Sequence, residues 1–321
     1  MNKLLEVRDL TVAFPTSNDE KYAVNHISFD LFENDFVGLV GESGCGKTVA
    51  TQTILGIESP DAIIKSGSCL LKGKEVLGLD DKQWAPYRSR NIATVFQEPG
   101  SALNPLIKVG KQIEEVLKIH YDFDKKKRLD LVYTTMEKCG LKDVESLYHK
   151  YPHELSGGMQ QRIVISMALI ANPNVLIADE PTTALDAKVQ AQIIDLFKEI
   201  SHIYKGAIVF ISHDLNLIEN ISKKVMIMYA GRIVERGLTK EVIASPLHPY
   251  TKALLKAVPN YKKRGQDLYN IKGRVPDLKN RSNEGCPFAD RCELAMDKCF
   301  KTYPATTYRK NHEVNCHLYG E

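Results

Sequence analysis

The stretch FVGLVGESGCGKT, residues 36–48, decides the fold of this chain. Five apolar residues lead into GESGCGKT, which fits the spacing G-x-x-x-x-G-K-[ST], and a helix-compatible segment follows. Glycines let the backbone of such a loop turn its N–H groups toward an anion, and the start of the next helix adds a favourable dipole. The stretch therefore predicts a strand, a phosphate-binding loop and a helix, with a nucleoside triphosphate as ligand.

The residues of the loop have predicted roles in holding ATP and Mg²⁺. Lys47 is expected to reach the β- and γ-phosphates, and the Thr48 hydroxyl is expected to ligate Mg²⁺. The other loop positions are also predicted to line the nucleotide: Gly41, Glu42, Ser43, Gly44, Cys45 and Gly46.

A second apolar run, NVLIADE at residues 174–180, ends in two carboxylates. Asp179 is predicted to hold the Mg²⁺ shell, and Glu180 is predicted to polarise the attacking water as a catalytic residue. An apolar strand that ends in Asp-Glu is common in proteins, so its meaning depends on the motif that precedes it.

The preceding motif is LSGGMQQR, residues 155–162, which resembles the LSGGQ signature of the ATP-binding-cassette (ABC) ATPases. Ser156, Gly157 and Gly158 at the start of a helix form a second anion-binding end. In that family this end contacts the γ-phosphate of the ATP bound to the opposite subunit. The resemblance therefore implies two half-sites that dimerisation completes.

Other motifs of the ABC family follow the same order along the chain, and the resemblance assigns them roles. Gln97, in VFQEP, is expected to sense Mg²⁺ and to face the membrane partner, and Asp186, in TALD, is expected at the dimer seam. His213, in FISHD, matches the switch histidine at the γ-phosphate. Phe14 is expected to stack on adenine, with Tyr22 as the alternative.

The wider pattern predicts an α/β P-loop NTPase of the ABC type. Nearly continuous apolar runs favour a mostly parallel core sheet, accompanied by an antiparallel β subdomain. Helical periodicity replaces the strand pattern between about residues 101 and 172, which predicts a helical insertion. Repeated prolines after residue 245 predict a small, loop-rich extension, so the expected domains are 1–245 and 246–321, and the cysteines of the extension predict that it binds a metal.

Composition limits the classes of partner. The chain has 43 basic and 40 acidic residues among 321, and a net charge of +3 is too weak to favour nucleic acid as a ligand. The longest apolar stretch, residues 163–171, is far shorter than the roughly 18 residues of a membrane span. The N-terminal stretch lacks the apolar block of a signal peptide, so a reducing compartment is expected.

The C-terminal part resembles ATPase subunits of oligopeptide and dipeptide importers, in SPLHPYTKALLKAVP at 245–259, in GRVPDL and in GCPFADRC. This resemblance implies an ATP-hydrolysing subunit on the cytoplasmic side of the cell membrane. Its implied partners are two transmembrane permease subunits, a second related ATPase or another copy of this chain, and, indirectly, an extracytoplasmic solute-binding protein. The alternatives are an importer for nickel or another small solute and a soluble ABC ATPase without a transport role.

Four cysteines of the C-terminal part follow the spacing C-x5-C-x6-C-x16-C: Cys286, Cys292, Cys299 and Cys316. Four thiols in a reducing compartment predict a metal site that replaces a hydrophobic core. The spacing lacks the C-x2-4-C pairs typical of zinc, and the resembled subfamily implies a [4Fe–4S] cluster. Zinc, with His312 or His317 as alternative ligands, and free thiols or disulfides remain the other interpretations.

Overall fold

The computed structural model of the protein describes residues 2–16, 19–183, 185–257, 269–282 and 284–320. Residue 184 of the TALD motif and residues 258–259 of the HPYT segment lie outside this part. The chain forms two compact units. The first unit contains residues 1–4, 31–35 and 79–209, and the second contains residues 5–30, 36–78 and 210–321.

The strands, in chain order, are β1 (Lys3–Pro15), β2 (Glu20–Phe32), β3 (Phe36–Val40), β4 (Ile63–Leu71), β5 (Lys74–Glu75), β6 (Ile92–Val95), β7 (Val175–Asp179), β8 (Ala207–Ser212), β9 (Lys224–Tyr229), β10 (Arg232–Leu238), β11 (Thr306–Arg309) and β12 (His312–Asn315). The helices are α1 (Lys47–Ile54), α2 (Asp81–Trp84), α3 (Pro99–Ala102), α4 (Val109–His120), α5 (Lys125–Lys138), α6 (Val144–Tyr148), α7 (Gly157–Leu169), α8 (Ala187–Ile203), α9 (Leu215–Ile221), α10 (Thr239–Ala244), α11 (Pro249–Ala257) and α12 (Asp297–Lys301).

The first unit combines the parallel pair β6–β7 with a group of helices. Every regular element between residues 101 and 172, all of which are described, is helical. Polar side chains define where these helices begin: the Asp124 carboxylate accepts the N–H of Lys127 at 2.7 Å at the start of α5. Such a cap satisfies one of the backbone donors that have no partner inside the helix.

The helices of the first unit enclose a buried carboxylate, Glu114 of α4, which is 1% exposed. Its oxygens accept hydrogen bonds from the Tyr148 hydroxyl at 2.7 Å and from Arg128 Nε at 3.0 Å. Lys111 Nζ at 3.1 Å and Lys118 Nζ at 3.4 Å complete the cluster. Burial alone would raise the pKa of Glu114, but the hydrogen bonds from Tyr148, Arg128 and Lys111 outweigh it and lower the pKa to about 2. This carboxylate therefore joins α4, α5 and α6 in its ionised form.

The second unit contains two sheets. One has the order β2-β1-β4-β5, with antiparallel β1–β4 and β4–β5 pairs. In the other, the strands that belong wholly to this unit follow the order β11-β12-β10-β9-β3, and among these neighbours only β3–β9 is parallel. The run FVGLV is a fully buried strand, β3, which confirms the prediction. The sheet of this unit is nevertheless mixed rather than mostly parallel, because two hairpins extend it.

The C-terminal part contains more regular structure than its prolines predict. It includes α11, α12 and the β11–β12 hairpin, and β12 pairs with β10 through Glu235↔Val314 and Arg236↔Glu313. An ion pair between Arg236 and Glu313, at 2.6 Å, supports this register. The Glu235 carboxylate, which is fully buried, contacts His312 Nε2 at 2.6 Å and accepts the N–H groups of Leu247 and His248.

Candidate nucleotide-binding site

The phosphate-binding loop joins β3 to α1, as the sequence predicts. Gly46 precedes α1 with φ of 107°, a left-handed conformation that favours glycine, and a Cβ there would lie 2.4 Å from the Ala23 carbonyl oxygen. No side chain caps the start of α1. The first N–H groups of this helix are therefore oriented as donors for an anion.

The Lys47 side chain is folded along the loop and is 5% exposed. Its Nζ donates to the carbonyl oxygens of Gly41 at 2.8 Å and Glu42 at 3.1 Å, which holds the ammonium inside the loop. Cys45 is fully buried, and burial raises the pKa of its thiol. Thr48 is exposed in the first turn of α1. The cationic and hydroxyl groups expected at a triphosphate thus lie in one short segment.

The loop is also held by residues far along the chain that sequence reasoning missed. The Glu42 N–H donates to the Tyr250 hydroxyl at 3.0 Å, and the Glu42 carboxylate forms an ion pair with Arg291 at 2.8 Å. Arg281 donates to the Gly44 carbonyl oxygen. These contacts link residues separated by more than 200 positions, so no local pattern indicates them.

Three other predicted residues of the second unit lie at the ends of strands. Phe14 is near the end of β1 and Tyr22 is near the start of β2, and both are half-buried. His213 is exposed and directly follows β8. The next residue, Asp214, caps α9 by accepting the N–H groups of Asn216 and Leu217.

In the first unit, β7 ends at Asp179, and Glu180 follows it with φ of 44°. A non-glycine residue in this left-handed region costs about 1–3 kcal/mol, and such residues cluster at functional sites. One oxygen of the Glu180 carboxylate accepts a hydrogen bond from the Thr183 hydroxyl at 2.9 Å. The structure therefore orients the predicted catalytic carboxylate, and Thr183 is a contact that the sequence analysis missed.

The signature residues lie at the start of α7, where the Ser156 hydroxyl accepts the Met159 N–H at 3.4 Å. Gly158 packs closely on the start of α8, because a Cβ there would lie 2.7 Å from Val189. A Cβ on Gly157 would lie 3.7 Å from Leu185. The structure therefore brings the signature against the segment that begins α8.

The two remaining predicted residues of the first unit, Asp186 and Gln97, lie in different segments. Asp186 caps α8, since its carboxylate accepts the N–H groups of Lys188 and Val189 at 3.0 Å each. Gln97 is exposed between β6 and α3. Asp186 therefore has a structural role in its own helix in addition to any role that the family resemblance implies.

The four C-terminal cysteines are unpaired and lie near one another, since charges on Cys292, Cys299 and Cys316 would each act on Cys286. Burial is the main cause that raises the pKa of Cys286 to about 12, and it also raises the pKa of Cys292 and of Cys316. A backbone N–H contacts each sulfur, as from Met296 to Cys299 Sγ at 3.5 Å.

The predicted metal site is nevertheless not supported. Among the described residues, no group of three or more His, Cys, Asp or Glu side chains is placed to hold a metal ion. The alternative histidine ligands have other partners: His312 contacts Glu235, and His317 Nε2 donates to the Thr302 carbonyl oxygen at 2.9 Å. The cysteines are close in space but do not form a ligand shell.

Comparison with known proteins agrees with the assignment of a nucleotide-binding site to this chain. The family described as ABC transporter matches residues 24–183, and the family described as oligopeptide/dipeptide transporter, C-terminal region, matches residues 234–299. The dipeptide transport ATP-binding protein DppD of Bacillus subtilis is 43% identical over 99% of this chain and 95% of its own length. The oligopeptide transport ATP-binding protein OppD of Haemophilus influenzae is 38% identical over 100% of this chain and 99% of its own length.

Solved structures share the fold. The ATP-binding cassette MJ0796, in a dimeric post-hydrolysis state bound to ADP and Pi, has a TM-score of 0.65 at 24% identity and covers 74% of this chain and 99% of its own. CbiO1 from Clostridium perfringens, part of the transporter complex CbiONQ, has a TM-score of 0.66 at 25% identity over 76% of this chain and 92% of its own. The chain belongs to the ABC transporter ATP-binding proteins, in the oligopeptide/dipeptide group.

Proposed function

We propose that this chain is the ATP-hydrolysing subunit of an ABC importer for oligopeptides or dipeptides. The observation that carries the proposal is that the similarity to dipeptide and oligopeptide transport ATPases extends over the whole chain, including residues 234–299. The structure adds a site suited to phosphate, formed by the start of α1, which no side chain caps, and by the buried Lys47. A soluble ABC ATPase without a transport role would have no reason to share the C-terminal region.

Some of the proposed site residues bind ATP, and others take part in its hydrolysis. The loop 41–48 binds the phosphates, and Phe14 stacks on adenine. Glu180 takes the proton of the attacking water, His213 contacts the γ-phosphate, and Gln97 senses Mg²⁺ and faces the membrane partner. Support for the role of Glu180 comes from its left-handed backbone and its hydrogen bond to Thr183.

Magnesium is part of the proposed site. Thr48, Gln97 and Asp179 offer a hydroxyl, an amide oxygen and a carboxylate, and such oxygen donors are the ligands that Mg²⁺ prefers. When bound, the ion neutralises charge that develops on the phosphates. The loop 41–48 would hold the phosphates, and Glu180 would orient the attacking water.

Dimerisation completes the site in this proposal. Ser156, Gly157 and Gly158 contact the nucleotide of a second ATPase subunit, and Asp186 lies at the seam between the two. The packing of Gly158 on the start of α8 supports assigning the signature and Asp186, which caps α8, to the same seam. ATP binding then closes the dimer, and hydrolysis reopens it. These two movements drive the permease.

The partners and location follow from the proposed function. Two transmembrane permease subunits anchor the ATPase dimer on the cytoplasmic side of the cell membrane. The second ATPase is a related chain, with another copy of this chain as the alternative. A solute-binding protein outside the membrane delivers the peptide. No helix among the described ranges is long and apolar enough to cross a membrane. We also propose a division into a nucleotide-binding domain, 1–245, and an extension, 246–321.

Uptake by cells tests the transport proposal. Cells that lack this chain should lose uptake of labelled dialanine and tetraalanine, and the native chain should restore it while the Glu180→Gln variant should not. The chain should sediment with membranes only when the permease is present. Normal peptide uptake with defective nickel uptake would instead indicate the nickel alternative, and a chain that stays in the soluble fraction would contradict the transport role.

We propose further that Cys286, Cys292, Cys299 and Cys316 take up a [4Fe–4S] cluster after rearrangement of their side chains, with zinc as the alternative. Four neighbouring thiols support this, and the N–H groups directed at their sulfurs would partly offset the burial that disfavours their thiolates. Anaerobic purification should give about four irons per chain and a broad band near roughly 400 nm. About one zinc without colour would indicate zinc, and a metal-free chain would contradict both.

A further inference from the structure

The Arg291 side chain connects the C-terminal part to the phosphate-binding loop. Its Nη1 and Nη2 atoms donate to the two oxygens of Glu42, at 2.8 and 3.3 Å, in a bidentate pair. The same guanidinium donates to the Tyr229 hydroxyl at 3.2 Å and to the carbonyl oxygens of Lys272 and Gly273. The Arg291 side chain is 8% exposed and that of Glu42 is 25% exposed, so the pair is largely shielded from water.

Arg281 makes a second connection to the same loop. This residue is 7% exposed, and it donates to the carbonyl oxygens of Gly44, in the loop, and Ala23, in β2. Ala23 follows Tyr22, one of the two candidates for stacking on adenine. Arg281 therefore ties the middle of the loop to the strand on which an adenine contact is expected.

A packed aromatic group supports both sides of this connection. Tyr229, Tyr250 and Phe288 lie with ring centroids 4.6 to 5.3 Å apart, and all three are at most 2% exposed. The Tyr250 hydroxyl accepts the Glu42 N–H at 3.0 Å, so Glu42 is held through its backbone as well as its carboxylate. A group held at both ends by rigid aromatic and guanidinium partners has little freedom to move.

We propose that Arg291, on a loop that Arg281 also helps to hold, is a positioning residue for ATP binding, and that the C-terminal part of the chain thereby sets the affinity of the phosphate-binding loop. The two guanidinium groups fix Glu42 and Gly44, and the loop N–H groups then need little reordering when the triphosphate binds. This inference rests on the proposed function, because it concerns the affinity of the same ATP-binding site.

The Glu42→Gln variant distinguishes a positioning role of the Arg291–Glu42 pair from a direct effect of the Glu42 charge on ATP. If the charges alone mattered, the Glu42→Gln variant would bind ATP more tightly, since it removes a negative charge beside the phosphates. If Glu42 is an anchor for Arg291, the same variant binds ATP more weakly. The expected increase in Kd is about tenfold for Glu42→Gln and for Arg291→Met, with kcat changed by less than about twofold.

The experiment measures the Kd of the full chain for ATP by titration calorimetry, and kcat with saturating ATP, for both single variants and the double variant. If Arg291 and Glu42 act through their one mutual contact, the double variant should bind ATP no more weakly than the single variant that binds it less tightly. Additive losses, or tighter binding by Glu42→Gln, would overturn the proposal. Arg291→Lys, which keeps the charge but loses the bidentate fork, should also weaken binding. Tight binding by this Lys variant would count against positioning.

Arg309→Met is the matched control, because Arg309 is an exposed arginine of β11 in the same C-terminal part. Its Kd for ATP should equal that of the native chain. Melting temperatures of all variants establish that weaker binding is measured on folded protein. A native chain that fails to bind ATP would contradict the proposed function itself, whereas a native chain that binds and variants that bind equally well would contradict only the positioning role.

Discussion

The Glu180→Gln variant is expected to bind ATP with unchanged affinity and to hydrolyse it about 10²–10⁴ times more slowly than the native chain. The amide keeps the size of the side chain and can still accept the Thr183 hydroxyl bond, but it cannot take a proton from water. Nucleotide should therefore remain bound as ATP. Phosphate release under multiple turnover and the ATP-to-ADP ratio of the retained nucleotide measure the two effects.

Glu199→Gln provides the matched control for this variant. Glu199 is an exposed glutamate of α8 in the same unit, and its replacement should leave hydrolysis unchanged. A normal rate for Glu180→Gln would exclude Glu180 as the general base. A melting temperature close to that of the native chain would establish that a slow rate reflects chemistry and not unfolding.

The Glu114→Gln variant is expected to lose about 3 kcal/mol of the free energy of unfolding near neutral pH, the largest stability effect that we predict. Lowering the pKa of a buried carboxyl from 4.5 to about 2 corresponds to a stabilisation of this size. The variant also leaves Lys111, Lys118 and Arg128 without their common anion. The midpoint of urea unfolding, followed by circular dichroism, measures the loss.

The pH dependence gives a second test of the same residue. Because the folded pKa lies below the unfolded pKa, the contribution of Glu114 is complete above about pH 4.5 and is lost as the pH falls toward 2. The native chain should therefore lose this share of stability over that range, and the variant should lack it. Glu115→Gln, on an exposed position of the same helix, should change stability by less than about 0.5 kcal/mol. Equal losses for the two variants would contradict the role of the buried cluster.

Local sequence patterns predicted the parts of the fold that depend on neighbouring residues. The run FVGLV, the loop after it and the start of α1 follow from apolar residues and glycines a few positions apart. The strand before Asp179 and the helix after Ser156 are equally local. In each case the residue types that form the element also determine where it begins or ends.

The features that sequence reasoning missed depend on contacts between distant residues. Nothing in the segment IEEVLKIH indicates which glutamate is buried, because the partners of Glu114 come from α5 and α6 as well as from its own helix. The same holds for Arg281 and Arg291, whose partners on the phosphate-binding loop lie more than 200 residues earlier. The spacing of the cysteines indicated that they meet, but it contained no information on side-chain geometry.

The pairing of β12 with β10 has a consequence for the order in which the protein folds during synthesis. Residues 312–315 are synthesised well after β10, so one edge of β10 stays unpaired until they are present. Until then Glu235 also lacks its contact with His312. An unpaired strand edge is a template for pairing with other chains. Nascent chains that contain β10 but not yet β12 therefore expose such an edge.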